Sequence, residues 1–215
     1  DAGQASVVAS VSGCGRNVTV RLSLTISSRT LDADVTLDVL YKLITSAEQL
    51  QEIGERLDGA YLLGKDIDLS GIADFISIGT AALDVIPDDG TYVVLTHNTA
   101  YDGREGIPFT GIFDGNGYTI SDLSTKPAGA YSEQGSFAHS LFGMIGETGE
   151  VRNFTLSGAN IDGANLAFVA GVNSGVIENV RIASDCRLYA NWGNGAAFAL
   201  LNTGTVRNWV CERAE

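Results

Sequence analysis

Residues 175–182 read Gly175-Val176-Ile177-Glu178-Asn179-Val180-Arg181-Ile182, and closely similar stretches lie before and after them. Residues 149–156 and 204–211 share with this stretch the order glycine, any residue, aliphatic, charged, Asn, apolar, any residue, apolar. A looser copy at residues 117–125 has Asp122 in place of the Asn and one additional residue. The aliphatic positions are 120, 151, 177 and 206, so successive copies are about 26 to 31 residues apart. A repeat of this length indicates structural units that stack on one another.

The same pattern predicts two short strands joined by a bend at the Asn. Side chains of a strand alternate between its two faces, and the order aliphatic, any residue, Asn, apolar interrupts that alternation at the Asn. We therefore expect the chain to bend there, with the side-chain amide satisfying backbone groups that leave the sheet. The predicted corner ladder consists of Asp122, Asn153, Asn179 and Asn208. A further strand is expected upstream of each late corner, at residues 141–143, 168–170 and 197–199.

Stacked repeats place equivalent residues in columns that point into a common core. The predicted columns are Ile120/Val151/Ile177/Val206, Leu123/Phe154/Val180/Trp209 and Thr125/Leu156/Ile182/Cys211. The predicted fold is therefore mainly β, a right-handed parallel β-helix or solenoid. Cys211 is interpreted as a small buried hydrophobic residue and Cys186 as lying off this column, with a disulfide between the two as the less favoured alternative.

Residues 45–57 are predicted to form an N-terminal capping α-helix. Thr45 and Glu48 match a capping box. The apolar face of the predicted helix consists of Leu50, Ile53 and Leu57. Such a helix can cover the open apolar end of a β-helix, whose edge strands would otherwise pair with neighbours. The next segment, residues 61–69, is predicted to be the first strand of a β-helix that extends over residues 42–215.

Residues 1–41 differ from the repeats. Alternating apolar residues predict strands at residues 18–26 and 35–40, and a weaker strand is expected at residues 7–11. These strands suggest part of a β-sandwich, which usually takes roughly 100 residues. We expect this segment to pack on the cap of the β-helix or to complete a domain with strands that lie upstream.

Composition and charge exclude several classes of partner. The net charge of −13 disfavours nucleic acid and anionic lipid surfaces. No apolar stretch reaches the roughly 18–20 residues that span a bilayer, and no leader pattern opens the chain, so membrane insertion of this segment is not expected. The 26 glycines and 3 prolines favour a turn-rich β architecture. Three cysteines are too few for a disulfide framework or a zinc knuckle.

The order of these segments resembles the GLUG-repeat β-helix of bacterial surface, adhesin-like proteins and of the N-terminal region of IgA-specific metallopeptidases. The resemblance rests on residues 45–50, 61–69, 109–120 and 141–143. Residues 1–41 loosely resemble part of a degenerate bacterial immunoglobulin-like (Ig-like) domain. The resemblance implies a secreted or cell-surface bacterial module within a larger modular protein, and it implies no protease activity.

No catalytic, metal or cofactor site is predicted, and the chain is not expected to be an enzyme. The two histidines, His97 and His139, lack the spacing of a zinc protease, and no nucleophile turn or nucleotide-binding loop is present. Asp66 and Asp68 lie two residues apart, roughly 6.6 Å on a strand, which is near the carboxylate separation of inverting glycosidases. We interpret them as solvated scaffold, and residues 114–117 as a tight turn in preference to a calcium site.

Candidate binding residues lie where the repeat is interrupted. A long insertion at residues 81–107 and a second excursion at residues 126–140 add nothing to the repeats, and such loops often carry function. Aromatic side chains beside polar ones suit a glycan or a protein partner. The predicted ligand-binding residues are Tyr92, His97, Tyr101, Asp102, Tyr189 and Trp192. The expected function is adhesion or ligand display towards a host or microbial surface glycan or protein; the alternatives are a carbohydrate-binding module and a β-helix glycan hydrolase or lyase.

Overall fold

The computed structural model of the chain describes residues 5–11, 15–26, 29–39, 41–73, 75–79, 82–88, 92–96, 107–125 and 136–212. Among these residues strands predominate and one short α-helix is present, so the predicted mainly β class is confirmed. The chain divides into two compact units, Asp1–Lys42 and Leu43–Glu215.

The first unit contains three antiparallel strands in the order β1-β2-β3. They are β1 (Ala5–Val11), β2 (Gly15–Ile26) and β3 (Arg29–Val39). The third strand begins before the predicted residue 35, because the register pairs Ile26 with Arg29 and the two strands form a close hairpin. The Ig-like assignment of this unit stays a prediction.

The second unit contains the remaining elements, except that β4 begins at Lys42, the last residue of the first unit. They are β4 (Lys42–Ile44), α1 (Ala47–Gln51), a 3₁₀ segment (Glu52–Glu55), β5 (Ala60–Leu63), β6 (Ile67–Asp68), β7 (Ala82–Asp88), β8 (Tyr92–Thr96), β9 (Ile112–Asp114), β10 (Thr119–Ser121), β11 (Ser136–Phe137), β12 (Phe142–Ile145), β13 (Glu150–Ser157), β14 (Asn160–Ala167), β15 (Ala170–Asn173), β16 (Val176–Ile182), β17 (Arg187–Ala196), β18 (Ala199–Asn202), β19 (Thr205–Arg207) and β20 (Val210–Cys211).

Parallel pairing between successive repeats organises this unit. The largest sheet runs β19-β16-β13-β9-β5-β4, and β6, β10 and β20 join it beyond the corner of each repeat. Its described pairs from β5 to β20 are parallel. Two smaller parallel sheets, β12-β15-β18 and β14-β17, use the strands upstream of the corners. The hairpin β7-β8, with β11 beside β7, is antiparallel.

The register defines two inward columns. The first is Tyr61, Phe113, Val151, Ile177 and Val206. The second is Ile67, Ile120, Leu156, Ile182 and Cys211. The predicted placement of Ile120 beside Val151 is wrong, because Phe113 occupies that position. The repeat that contains Phe113 and Ile120 has a longer turn, residues 114–117, at its corner. Ile120 therefore lies beyond the corner and pairs with Leu156.

The Asn corners adopt left-handed backbone geometry. Asn153, Asn179 and Asn208 have φ of 61°, 54° and 52°, a conformation that Asn tolerates better than most residues. The amide Nδ2 of Asn179 donates to Oδ1 of Asn153 at 2.8 Å, so these two rungs form the predicted amide ladder. Asp122 also has positive φ, but it forms a different corner, where its N–H donates to the Ser157 carbonyl. Its predicted place in the ladder is therefore wrong.

The helix is shorter than predicted and its cap lies one residue later. Ser46 is the N-cap, and its hydroxyl accepts from the N–H of Gln49. The Gln49 side chain in turn accepts from the N–H of Thr45 at 2.7 Å, so the reciprocal box uses Gln49 and not Glu48. The chain then tightens into the 3₁₀ segment, although Leu50 and Ile53 are buried in the main core as predicted.

The main core consists of the inward columns and a run of aromatic rings. Phe109 and Phe113 both contact Phe142, at centroid distances of 5.2 and 5.6 Å, and Phe113 meets Phe154 edge-on at 5.8 Å. The predicted first strand is divided into β5 and β6 by a bend, with its apolar residues buried on both sides.

The cysteines only partly follow the prediction. Cys211 ends its inward column but is exposed, because no described strand covers β20, so its predicted burial is wrong. Cys186 lies off that column, half-buried against the core, and burial raises the pKa of its thiol. Both are free thiols in this structure, and Cys14 lies outside the described residues.

The left-handed corner predicts an unusual ranking at Asn179. Asn179→Leu should lower the free energy of unfolding by about 1–3 kcal/mol, since Leu resists this conformation and the bond to Asn153 is lost. Asn179→Gly loses the same bond but accepts the backbone, so its loss should be smaller. Thermal and urea unfolding of both variants measures the ranking. A Gly variant less stable than the Leu variant would refute the backbone explanation.

Close approach of successive repeats predicts a second pair of outcomes. A Cβ at Gly175 would lie 2.2 Å from the carbonyl oxygen of Gly149, whereas a Cβ at Gly54 meets no atom within 4 Å. Gly175→Ala should therefore cost about 1–3 kcal/mol of unfolding free energy, as overpacked sites do. Gly54→Ala should be neutral or stabilising by up to about 1 kcal/mol. Equal urea midpoints for the two variants would show that successive repeats can move apart at Gly175 without loss of stability.

Candidate binding surfaces

A shallow polar groove follows the corner ladder. It is lined by Asp114, Asn116, Gly117, Asn153, Phe154, Thr155, Asn179 and Arg181. The local sequence explains it: each left-handed corner turns the chain and leaves the outward residues two positions later, Thr155 and Arg181, beside the Asn of the same repeat. The sequence analysis did not predict this groove. Thr155 and Arg181 each lie two positions after a corner Asn and point outward, and this regularity could have indicated it.

Asp114 anchors the ladder at one end of the groove. Its Oδ1 accepts from the N–H of Asn116 at 2.9 Å and from Nδ2 of Asn153 at 3.0 Å, and its Oδ2 accepts from Nε of Arg152 at 3.1 Å. Partial burial, the largest single influence, raises the pKa of Asp114, but the three hydrogen bonds and the charge of Arg152 together outweigh it and hold the pKa below the ordinary value. In the predicted tight turn at residues 114–117, the Asp114 carboxylate therefore accepts a hydrogen bond from the backbone of the turn itself.

Charges alternate along the outward face of the repeats. The register places Arg152 beside Asp114 on one side and Glu178 on the other, and Glu178 beside Arg207. Nη2 of Arg207 donates to Oε2 of Glu178 at 2.9 Å. Opposite charges on neighbouring strands favour this register over its alternatives. These side chains are engaged with one another, which leaves few outward charges of the central repeats for a ligand.

The structure describes only part of the predicted binding set. Tyr92 begins β8 and its backbone pairs with Asp88 in the hairpin, whereas His97, Tyr101 and Asp102 lie outside the described residues. The described part of the insertion thus contains the β7-β8 hairpin, and no described contact joins Tyr92 to the other predicted residues.

Tyr189 and Trp192 lie on β17. Tyr189 is 56% exposed and its backbone is in register with Asp162. Trp192 lies where β17 has extra residues between Ala190 and Asn194 relative to its partner strand. The Trp192 side chain is not among those that the structure describes. Among the predicted ligand residues, Tyr189 is the one whose side chain is described, and it lies on the surface.

Other titratable groups have structural partners. Oδ1 of Asp66 accepts from the N–H of Thr119 at 2.8 Å, and Oδ1 of Asp68 accepts from the N–H of Ser70 at 2.8 Å, which lowers the pKa of Asp68. Burial lowers the pKa of His139, and the charge of Asp162 opposes that shift. No group of three or more metal-ligating side chains is found in the described part of the chain. No helix described here is long and apolar enough to cross a bilayer.

A stretch of 73 residues, 34% of this chain, is 42% identical to halomucin from Haloquadratum walsbyi (strain DSM 16790 / HBSQ001). The matched stretch covers 1% of the length of halomucin. No protein-family model matches the chain, and no solved structure matches it. The chain therefore has a local similarity to halomucin over about a third of its length.

The low pKa of Asp114 predicts a pH-dependent contribution to stability. Its stabilisation is complete above the unfolded-state pKa of about 4 and is lost as pH falls through the lower folded-state pKa. Asp114→Asn should therefore destabilise the protein at pH 7 and much less at pH 2. Urea unfolding at both pH values measures this difference. Asp58→Asn, at a carboxylate 73% exposed, serves as the control and should show little effect at either pH. A penalty for Asp114→Asn that is the same at both pH values would contradict the charge assignment.

Proposed function

We propose that residues 43–215 form a right-handed parallel β-helix of the GLUG type that serves as a non-catalytic binding module of a secreted or cell-surface protein. The parallel register of the repeats carries this proposal. Each strand from β9 to β20 in the large sheet aligns with its neighbour one repeat away, and the inward columns continue through all of them. This arrangement is what stacked turns of a solenoid produce.

The outward carboxylates support a non-catalytic role. A glycan hydrolase needs one carboxylic acid with a raised pKa beside a second carboxylate. Among the described carboxylates that depart from their ordinary values, Glu48, Asp68, Asp114 and Asp185, every pKa is lowered by hydrogen bonds. Asp66 and Asp68 each accept a backbone N–H. These groups are therefore suited to hold turns and edges of the repeats.

The local similarity to halomucin, over about a third of the chain, supports a surface or extracellular location. A bacterial source, the GLUG assignment and membership in a larger modular protein are parts of the same proposal. The net charge of −13 supports a ligand that is neither nucleic acid nor an anionic membrane.

The ligand class that we favour is a surface glycan or protein, with recognition at Tyr189 and at the insertion that carries Tyr92, His97, Tyr101 and Asp102. Tyr189 supplies an exposed aromatic ring beside a carboxylate-bearing residue of the preceding repeat, Asp162. An aromatic face next to polar groups suits sugar rings and protein partners alike. Dedicated carbohydrate binding is the second candidate, and the shallow Asn-lined groove favours it.

A glycan and matrix-protein array tests the proposal. Tyr189→Ala should weaken binding of the identified ligand at least ~10-fold, equivalent to ~1.4 kcal/mol, whereas Tyr189→Phe should stay within ~3-fold because the ring is kept. Replacement of residues 97–106 by a short Gly-Ser linker, which keeps the β7-β8 hairpin, tests the insertion separately.

Two outcomes contradict the proposal. Binding unchanged in both Tyr189→Ala and the linker variant would move recognition to the groove, where Thr155→Val and Arg181→Gln become the informative changes. Release of reducing sugar by the wild type, lost in the Asp66→Asn, Asp68→Asn double variant, would establish a glycan hydrolase.

A further inference from the structure

The amide ladder along the polar groove has a fixed direction. Asp114 is held as an ionised carboxylate and can only accept hydrogen bonds, so Asn153 presents its amide Nδ2 to it, at 3.0 Å. The Oδ1 of Asn153 is thereby left for the next repeat, where it accepts from Nδ2 of Asn179 at 2.8 Å. One carboxylate therefore determines the amide orientation of both Asn residues.

The ladder stops at Asn179 and leaves the oxygen of its amide unpaired. Nδ2 of the next corner residue, Asn208, donates to Oε1 of Glu178 at 3.5 Å, and no hydrogen bond joins Asn208 to Asn179 in the described part of the chain. Among the described residues no donor reaches Oδ1 of Asn179, although Asn179 is exposed and lines the groove. The groove thus contains a hydrogen-bond acceptor whose orientation the ladder fixes.

Hydrogen-bond donors lie beside this acceptor. Arg181 follows Asn179 by two positions, and Thr155 pairs with Arg181 on the neighbouring strand, roughly 4.8 Å away. Nη2 of Arg181 donates to Glu212, and the Arg181 side chain is still 55% exposed. The Thr155 hydroxyl also lines the groove and has no partner among the described residues. Phe154, which is 3% exposed, is the apolar member of the lining.

We propose that this groove binds the acetamido group of an N-acetylated amino sugar, whose N–H donates to Oδ1 of Asn179 and whose carbonyl accepts from Arg181 and Thr155. A secondary amide carries one donor and one acceptor, as this pair of sites requires. The acceptor and the guanidinium belong to residues two positions apart, roughly 6.6 Å along a strand. An amide with a hydrogen bond of about 2.9 Å at each end spans a comparable distance.

The charges around the groove favour an uncharged ligand. Asp114 is anionic at one end, Arg181 is compensated by Glu212, and the net charge of −13 works against an anionic glycan. An extended peptide offers the same amide, but it also needs pockets for alternate side chains. The lining provides no such pocket, because its apolar member, Phe154, is buried. The assignment rests on the proposed binding role of residues 43–215 and is independent of Tyr189.

A series of neutral sugars tests the ligand class by titration of the isotopically labelled full chain. Tri-N-acetylchitotriose should bind saturably and shift the side-chain amide signals of Asn153 and Asn179. Cellotriose, which has a hydroxyl in place of each acetamido group, should bind at least ~10-fold more weakly, because the acceptor and donors of the site are left unpaired. Equal affinity of the two trisaccharides, or no binding of tri-N-acetylchitotriose, would overturn the proposal.

An ester analogue isolates the bond to Asn179 without altering the protein. Methyl N-acetylglucosaminide and the analogue with an O-acetyl ester at the same carbon share the carbonyl and the methyl group, and the ester lacks only the N–H. The ester should bind at least ~5-fold more weakly, as expected for one lost hydrogen bond to a fixed acceptor. Equal affinity of the two compounds would contradict the role of Oδ1 of Asn179.

Matched protein variants locate the binding. Thr155→Val and Arg181→Gln should each lower the affinity for tri-N-acetylchitotriose at least ~5-fold. Thr119→Val makes the same change in the same outward column one repeat below, and Arg207→Gln removes the same charge from another glutamate-paired cation. Neither control residue lines the groove, and both controls should retain the affinity within ~3-fold. Circular dichroism confirms folding, and the sugar series decides if a groove variant does not fold.

Two outcomes separate the groove assignment from the wider binding role. Affinity for tri-N-acetylchitotriose that falls in Tyr189→Ala and stays unchanged in Thr155→Val and Arg181→Gln would keep the binding role and overturn the groove assignment. Binding of the blocked peptide N-acetyl-glycylglycine amide as tight as that of the trisaccharide, and lost in the same groove variants, would assign the groove to a polypeptide and overturn the sugar assignment.

Discussion

Parallel stacking of the repeats depends on close approach of two backbones at one glycine in each repeat. Cβ atoms built at Gly111, Gly175 and Gly204 would lie 1.9 to 2.2 Å from a carbonyl oxygen of the repeat below. The same carbonyl accepts the N–H of the residue that follows the upper glycine. Since a side chain cannot occupy this position, the strands meet in a single register. The inward columns, the aromatic core and the outward charge pairs all follow from that register.

The left-handed corner is the second constraint, and it determines which outward residues are available for binding. A corner at Asn153 or Asn179 turns the strand after three residues and directs the amide to the neighbouring repeat. Asp114 receives the end of this amide ladder and is therefore held as an ionised carboxylate. Residues at the corners and along the charge column are thus committed to one another. Among the described residues, Tyr189 lies outside the corners and the charge column and is 56% exposed.

Much of this organisation was predictable from local sequence. Three Asn corners were identified because an apolar pattern that breaks its alternation requires a bend, and Asn is among the few residues that accept positive φ. Leu50 and Ile53 were placed on the buried face of a helix for an equally local reason. Errors arose where the spacing changed: Asp122 was aligned with the Asn corners, although the longer turn at residues 114–117 occupies that corner. The register of a repeat with an added turn depends on its neighbours, which a single sequence does not display.

The sequence by itself determined the mainly β class, the repeat and the residue types of the core, because backbone conformation and apolar periodicity are local properties. Tertiary structure alone decided which repeat lies beside which, that Cys211 is exposed, and that Asp114 receives three donors from residues up to 39 positions away. It also brought Thr155 and Arg181 together in the groove. These properties arise from contacts between repeats, since burial and the pKa of a carboxylate are set by whichever atoms the fold brings within a few ångströms.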